Sequence, residues 1–162
     1  MQPLILAIDP SIVCIGLAVM RGDQLLGTGL IKTKMAGTDR FKEIQRKLKA
    51  VIEQHKPDIL AIETQYLGGL RGNAVLKTTE VKGLCKGVFL SIVPNGQIYD
   101  IVPSEAKQAL GLPGGRTKRK DAKGQAIRMV SLMYPKAGVL NDNAADAVGI
   151  GLASLAYIQN RK

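Results

Sequence analysis

Residues 4 to 8, Leu-Ile-Leu-Ala-Ile, form an unbroken apolar run that stops at Asp9 and Pro10. A run of that length without polar alternation predicts a central strand covered on both faces. Two more apolar stretches, 12 to 20 and 24 to 31, flank Arg21-Gly22-Asp23 and predict antiparallel neighbours. From Asp39 the period changes: Phe41, Ile44, Leu48, Val51 and Ile52 share one helical face, while Lys42, Arg46, Lys47 and Lys49 fill the other. Pro57-Asp58 ends that helix, and a second apolar run, 59 to 62, finishes on Glu63.

The glycine-rich YLGGLRGN turn precedes a helix over 74 to 90, which is followed by a short strand over 97 to 102. Pro103-Ser104-Glu105 predicts a helix start with Ser104 as N-cap, and the segment 111 to 115 breaks that helix. RTKRKDAK then sets five basic residues against one acid, before a helix carrying Ile127, Met129, Val130 and Leu132. The last helix runs from near Asn143 to about Gln159. Three strands, helix, strand, helix, strand and further helices predict an α/β fold: a mixed five-stranded sheet with helices on both faces. With no repeat, low-complexity tract or linker, the 162 residues suit one domain, 1–162.

Aromatic residues make up only 4% of the chain, with no Trp, so Leu, Ile, Val and Ala must build the core. The formal net charge of +10 exceeds what solubility needs and points to a polyanionic partner such as nucleic acid. Cys14 and Cys85 sit among apolar residues without a histidine partner, which excludes a zinc site and fits a reduced, cytoplasmic protein. His55, the sole histidine, ends a charged helix and reads as solvated. The opening MQPLILAIDP reaches an acid too early for a signal peptide or a membrane span, so no membrane partner is expected.

Asp9 and Glu63 each close a buried strand, which is where α/β folds place ligands. Two acids at neighbouring strand ends repel each other unless cations lie between them. The stretch NDNAADAVGIGLAS, 141 to 154, adds a third segment. On a helix Asn143 and Asp146 share a face, as do Asp142 and Asp146, and the first turn favours negative charge. One of Asn141, Asp142 and Asn143 caps the helix. Asp146 lies too deep for that role, and its neighbours Ala144, Ala145, Ala147 and Val148 would leave its charge buried and unpaired. Hard oxygen donors from three distant segments, with no His or Cys cluster, fit Mg²⁺ or Mn²⁺. In a strongly basic protein such a site points to phosphodiester hydrolysis.

The segments ILAIDPSIVCIGLAV, LAIETQY, RGNAVLKTTEVKGL, VPSEAKQALGL and AADAVGIGLA, in that order, resemble the RuvC family of Holliday-junction resolvases in the RNase H-like superfamily. The resemblance runs over essentially the whole chain. It implies an RNase H-like fold, a homodimer on four-way or branched DNA, two metal ions per active site, and symmetric nicking of strands of like polarity. It further implies that Asp9 bridges the ions, that Glu63 binds one of them, and that Asp146 binds from the last helix. The family's remaining carboxylate falls on Asn143, where Asp or sometimes His is usual. An amide oxygen can coordinate a metal but brings no charge. Two readings stay open: Asp142 takes over from the adjacent position, or Asn143 is an inactivating substitution, which is the favoured of the two.

Tyr66 matches a family aromatic that stacks on bases near the crossover. The DNA contacts implied are Arg71, Asn73, Lys107, Arg116, Lys118, Arg119, Lys120 and Lys123, with Lys107 and Lys123 matching lysines near the scissile strand and Lys123 counted among the catalytic groups. The helix over 74 to 90 is the dimer interface implied by the same resemblance. Ser11 and the long basic GGRTKRKDA loop depart from the family pattern, pointing to a phage-type member with broader branched-DNA specificity that acts in a host cytoplasm. A sugar-kinase or actin-like ATPase shares the first strand ending in Asp, but it needs duplicated domains and glycine-rich phosphate loops that this chain lacks. The rivals that remain are a branched-DNA-binding protein without catalysis and a nuclease for RNA–DNA hybrids or forks.

Overall fold

In the computed structural model, which describes residues 2–64, 73–113, 124–138 and 141–160, the first apolar run becomes the middle strand of five. The strands are β1 (Leu4–Asp9), β2 (Cys14–Arg21), β3 (Gln24–Lys32), β4 (Ile59–Glu63) and β5 (Gln97–Ile101). They lie in the order β3-β2-β1-β4-β5. The first three form an antiparallel meander, whereas β4 runs parallel to β1 and β5 parallel to β4. The helices are α1 (Gly37–His55), α2 (Asn73–Ile92), α3 (Pro103–Ala109), α4 (Gln125–Met133) and α5 (Asp142–Gln159). The mixed sheet with helices on both faces is therefore the observed architecture.

The two faces of the sheet differ in bulk, and this decides how closely each is covered. Leu4, Leu6, Ile8, Leu17, Val19, Leu60 and Ile62 pack with Ile44, Leu48 and Ile52 of α1 and with Val81, Cys85 and Phe89 of α2. The opposite face presents Ile5, Ala7, Ala18, Met20, Ile59 and Ala61 to α5. Alanines at the centre of that face leave room for a helix backbone, and α5 answers with Ala144, Ala145, Ala147, Gly149 and Gly151. A Cβ on Gly151 would stand 2.5 Å from Sδ of Met20, and one on Gly149 would stand 2.8 Å from the carbonyl oxygen of Ala106 in α3. Helix α5 thus lies tight between the sheet and α3, as side chains of this size permit.

Some boundaries differ from the sequence reading. The chain bends at Ile12 and Val13, so β2 begins at Cys14. Ser104 is not the N-cap of α3: Val102 holds that position and Pro103 is the first helical residue. Proline is suited there because its missing N–H has no helical partner to lose. No side chain caps the helix from the N-cap position; instead the Glu105 carboxylate reaches back and accepts from the Val102 amide at 3.2 Å. Helix α5 starts at Asp142, with Asn141 as its cap; Asn141 Oδ1 accepts from the Asn143 amide at 2.8 Å. Both cysteines are free, and burial in the core pushes the Cys85 thiol up to about 12. His55 is exposed at the end of α1. No helix among the described residues is long and apolar enough to cross a membrane.

Candidate active site

The strand register places the first two acids together. Ile8 pairs with Ile62, so Asp9 and Glu63 emerge side by side at the ends of adjacent parallel strands. Successive strand residues alternate faces. Ile5 and Ala7 in β1, and Ile59 and Ala61 in β4, face α5, so Asp9 and Glu63 fall on that face too. Helix α5 carries Asp146 one turn in from its start, and its close seating on the alanine-lined face brings the third acid to the same place.

The electrostatics report that convergence. Burial, then repulsion from Glu63 and Asp146, raises the Asp9 carboxyl from 3.8 to about 8. Burial and Asp146 push Glu63 up to about 7, against the opposing pull of Lys107 and Lys82. Asp146 rises to about 6 through burial and the neighbouring Asp142, with Lys107 again opposing. Each acid is only half-buried, yet each pays for ionising beside the others. Among the described residues no three His, Cys, Asp or Glu side chains close into a ready-made metal cage. The chemistry of the donors nevertheless fits a hard divalent cation: carboxylate oxygens from three elements, whose mutual repulsion a cation would relieve. Asp9 feels the charge of both of the other acids.

Asn143 is held differently. Its Nδ2 donates to the Cys14 carbonyl of β2 at 2.5 Å, a bond that an ionised carboxylate could not make. Asp142, in the first turn of α5, acts on Asp146 by repulsion. Lys107 lies half-buried on α3, within electrostatic reach of Glu63 and Asp146. Helix α3 is fixed to α5 by Tyr157, whose hydroxyl lies 2.9 Å from both carboxylate oxygens of Glu105. Tyr66, Arg71, Arg116, Lys118, Arg119, Lys120 and Lys123 lie outside the described residues, as does the side chain of Asn73 at the start of α2.

Two residues at the site escaped the sequence reading. Gly16 pairs with Asp9 across the β1–β2 ladder, and a Cβ there would collide with the Asn143 backbone. A glycine inside a strand is itself a signal of close backbone approach. Lys82 of α2 donates to Thr64, the residue after Glu63. Nothing in the spacing marks that lysine, because the pair depends on how α2 packs.

An antiparallel meander joined to two parallel strands, with acids at the ends of β1 and β4 and at the start of the last helix, defines an RNase H-like fold. The profile of the family described as crossover junction endodeoxyribonuclease RuvC matches residues 5–154. The chain belongs to the RuvC family. It is 33% identical to a crossover junction endodeoxyribonuclease RuvC of Chlorobium phaeovibrioides, across 94% of this chain and 80% of the relative. Among solved structures it is similar to Thermus thermophilus RuvC, with a TM-score of 0.72 at 24% identity, covering 98% of this chain and 96% of that one. The same TM-score is found for T. thermophilus RuvC in complex with a Holliday junction substrate, with 97% and 95% covered. Membership makes the chain a nuclease of a metal-dependent family.

Proposed function

We propose that this chain is a single nuclease domain over 1–162 that acts as a homodimer in the cytoplasm, nicking four-way DNA junctions symmetrically. In this reading Asp9, Glu63 and Asp146 hold two Mg²⁺ or Mn²⁺ ions per active site. The observation that carries it is the convergence of acids from β1, β4 and α5 on one sheet face, with the Asp9 carboxyl raised to about 8 by burial and by the other two. Bound there, the ions supply charge neutralisation, an activated water and a stabilised leaving oxygen. Asp9, Glu63 and Asp146 would hold the ions, and Lys107 would steady the phosphate from α3.

The solved complex of T. thermophilus RuvC with a Holliday junction supports branched DNA as the substrate. The net charge of +10 supports a polyanion. For the homodimer, support comes from α2: exposed Leu76 and Leu90 flank Gly83 and Gly87, around whose Cβ positions there is open space. Those residues follow one another on a single helical stripe. The test is cleavage of a labelled synthetic four-way junction in Mg²⁺ or Mn²⁺, with duplex and fork controls. Paired nicks confined to the junction are expected, and they should vanish in Asp9→Asn and Glu63→Gln while junction binding persists. Equal cutting of duplex would overturn the junction specificity, and preferential cutting of forks would point to the broader branched-DNA reading.

A second reading is favoured by Asn143. The amide adds no negative charge, and its tie to the Cys14 carbonyl gives it a structural partner. On this reading the chain binds junctions tightly but leaves them intact.

A further inference from the structure

Glu63 and Thr64 are consecutive residues at the end of β4 and face opposite sides of the sheet. Glu63 faces α5 and the other acids. Thr64 faces α2, where its Oγ1 accepts from Lys82 Nζ at 3.0 Å. The Thr64 amide donates to the Ile101 carbonyl at 2.7 Å, extending the β4–β5 pairing one residue past Glu63. Lys82 is in turn held by Asp100 of β5 at 2.6 Å, and Lys86, one turn further along α2, takes the other oxygen of that carboxylate at 2.6 Å. The Lys82 side chain is 17% exposed, against 71% on both sides of the Lys42–Asp39 pair, while its partner Asp100 is 44% exposed. A lysine so enclosed, with two fixed oxygen partners, has lost most of the rotamer freedom that makes ordinary surface pairs weak.

We infer that Lys82 is a positioning residue for Glu63: it clamps Thr64 from behind the sheet, and Asp100 holds the clamp. The inference rests on the reading of Glu63 as a metal ligand. The Lys82 charge also lowers the Glu63 pKa directly, but the positioning effect runs through the backbone of residues 63 and 64, fixing where β4 ends and therefore where the Glu63 carboxylate starts; Thr64→Val, which keeps the charge, separates the two. Without it, Thr64 keeps its ladder bond but loses its side-chain tether, at the point where the chain leaves the sheet. A ligand displaced by a fraction of an ångström lowers both metal affinity and the rate of a step that depends on its position. Junction affinity, which rests on phosphate contacts spread over the surface, should be indifferent to it.

The experiment compares Lys82→Met, Lys82→Arg, Thr64→Val and Glu63→Gln. Mn²⁺ binding is measured by electron paramagnetic resonance without DNA, and junction affinity by titration in Ca²⁺. Single-turnover junction cleavage is followed in the chain as it stands and in its Asn143→Asp form. Lys82→Met should lower Mn²⁺ affinity several-fold and the cleavage rate roughly tenfold, leaving junction affinity unchanged. Lys82→Arg, which keeps a cationic donor, should restore most of both, and Thr64→Val should reproduce part of the loss. Combining Thr64→Val with Lys82→Met should add little to Lys82→Met alone. If Glu63→Gln weakens Mn²⁺ binding but Lys82→Met and Thr64→Val do not, the clamp is wrong and the metal site stands. If Glu63→Gln itself leaves Mn²⁺ binding intact, the reading beneath it fails. Should Lys82→Met not fold, Thr64→Val decides alone, and an unchanged Mn²⁺ affinity there overturns the proposal.

Discussion

Gly16 lies against the backbone of Asn143 so closely that a Cβ on it would stand 1.9 Å from the Asn143 carbonyl oxygen and 2.9 Å from the Ala144 amide nitrogen. Gly16 is also the ladder partner of Asp9. One missing methyl group therefore lets the first turn of α5 descend onto β2 beside the first acid. Gly16→Ala should push that turn outward, separating Asp146 from Asp9. The expected cost is about 1–3 kcal/mol of stability, as for other overpacked sites, together with loss of Mn²⁺ binding. Gly27→Ala, at a β3 position with open space around it, is the control and should change neither. Thermal denaturation and Mn²⁺ titration of the two variants check this.

Asn143→Asp exchanges a donor for a charge. The bond from Nδ2 to the Cys14 carbonyl is lost, and a carboxylate there would be repelled by that oxygen and turn from it. A fourth acid in the cluster should destabilise the metal-free protein, strengthen Mn²⁺ binding and raise junction cleavage sharply. Thermal melts with and without Mn²⁺, beside a cleavage time course, check all three. No gain in cleavage would favour Asp142 as the residue that already fills the role.

The three acids predict an unusual dependence of stability on pH. Their folded-state values are raised, Asp9 to about 8, Glu63 to about 7 and Asp146 to about 6. In the unfolded chain these groups ionise in the ordinary carboxylate range, so their contribution to stability is complete below it. That contribution is lost as pH rises from about 4, where the unfolded groups ionise, and the loss levels off as each folded value is passed, about 6 for Asp146 and about 8 for Asp9. The melting temperature of metal-free protein should therefore fall as pH rises through this window, unless Mn²⁺ is present. Asp9→Asn should flatten the slope. Calorimetry at neutral pH in buffers of differing ionisation enthalpy should also detect proton release when Mn²⁺ binds.

Junction binding should weaken steeply with salt, since log K falls by about 0.9 per phosphate neutralised for each unit of log salt concentration. Lys107→Ala should reduce that slope by about one and slow cleavage at saturating protein. Titrations of a labelled junction at several salt concentrations check it. A flat response would remove nucleic acid as the reason for the +10 charge.

Much of the site was legible in the chain because its acids sit where regular structure stops. Asp9 and Glu63 each end an apolar run, and Asp146 interrupts a helix of small residues, so periodicity alone isolates them. Ser104 was misread as a cap because composition cannot say whether Pro103 opens the helix or precedes it; the bond from the Val102 amide to Glu105 decides that. Lys82 was invisible for a different reason. Its partners, Thr64 and Asp100, lie 18 residues away in sequence or on another strand, and meet it only once α2 has packed.

The sequence by itself determined the order of elements, the basic charge, and the three acids as candidates, since each follows from local period and composition. It also carried the choice of small residues in α5, though not what they were for. Only the tertiary structure decided that β1 and β4 lie parallel with Ile8 beside Ile62, which sends Asp9 and Glu63 to the same face. Packing likewise chose the alanine-lined face for α5 and the bulky face for α1 and α2, because a helix can approach only as near as the side chains beneath it allow. That difference in depth draws Asp146 down to two strand ends more than eighty residues earlier in the chain, and no local pattern could have specified it.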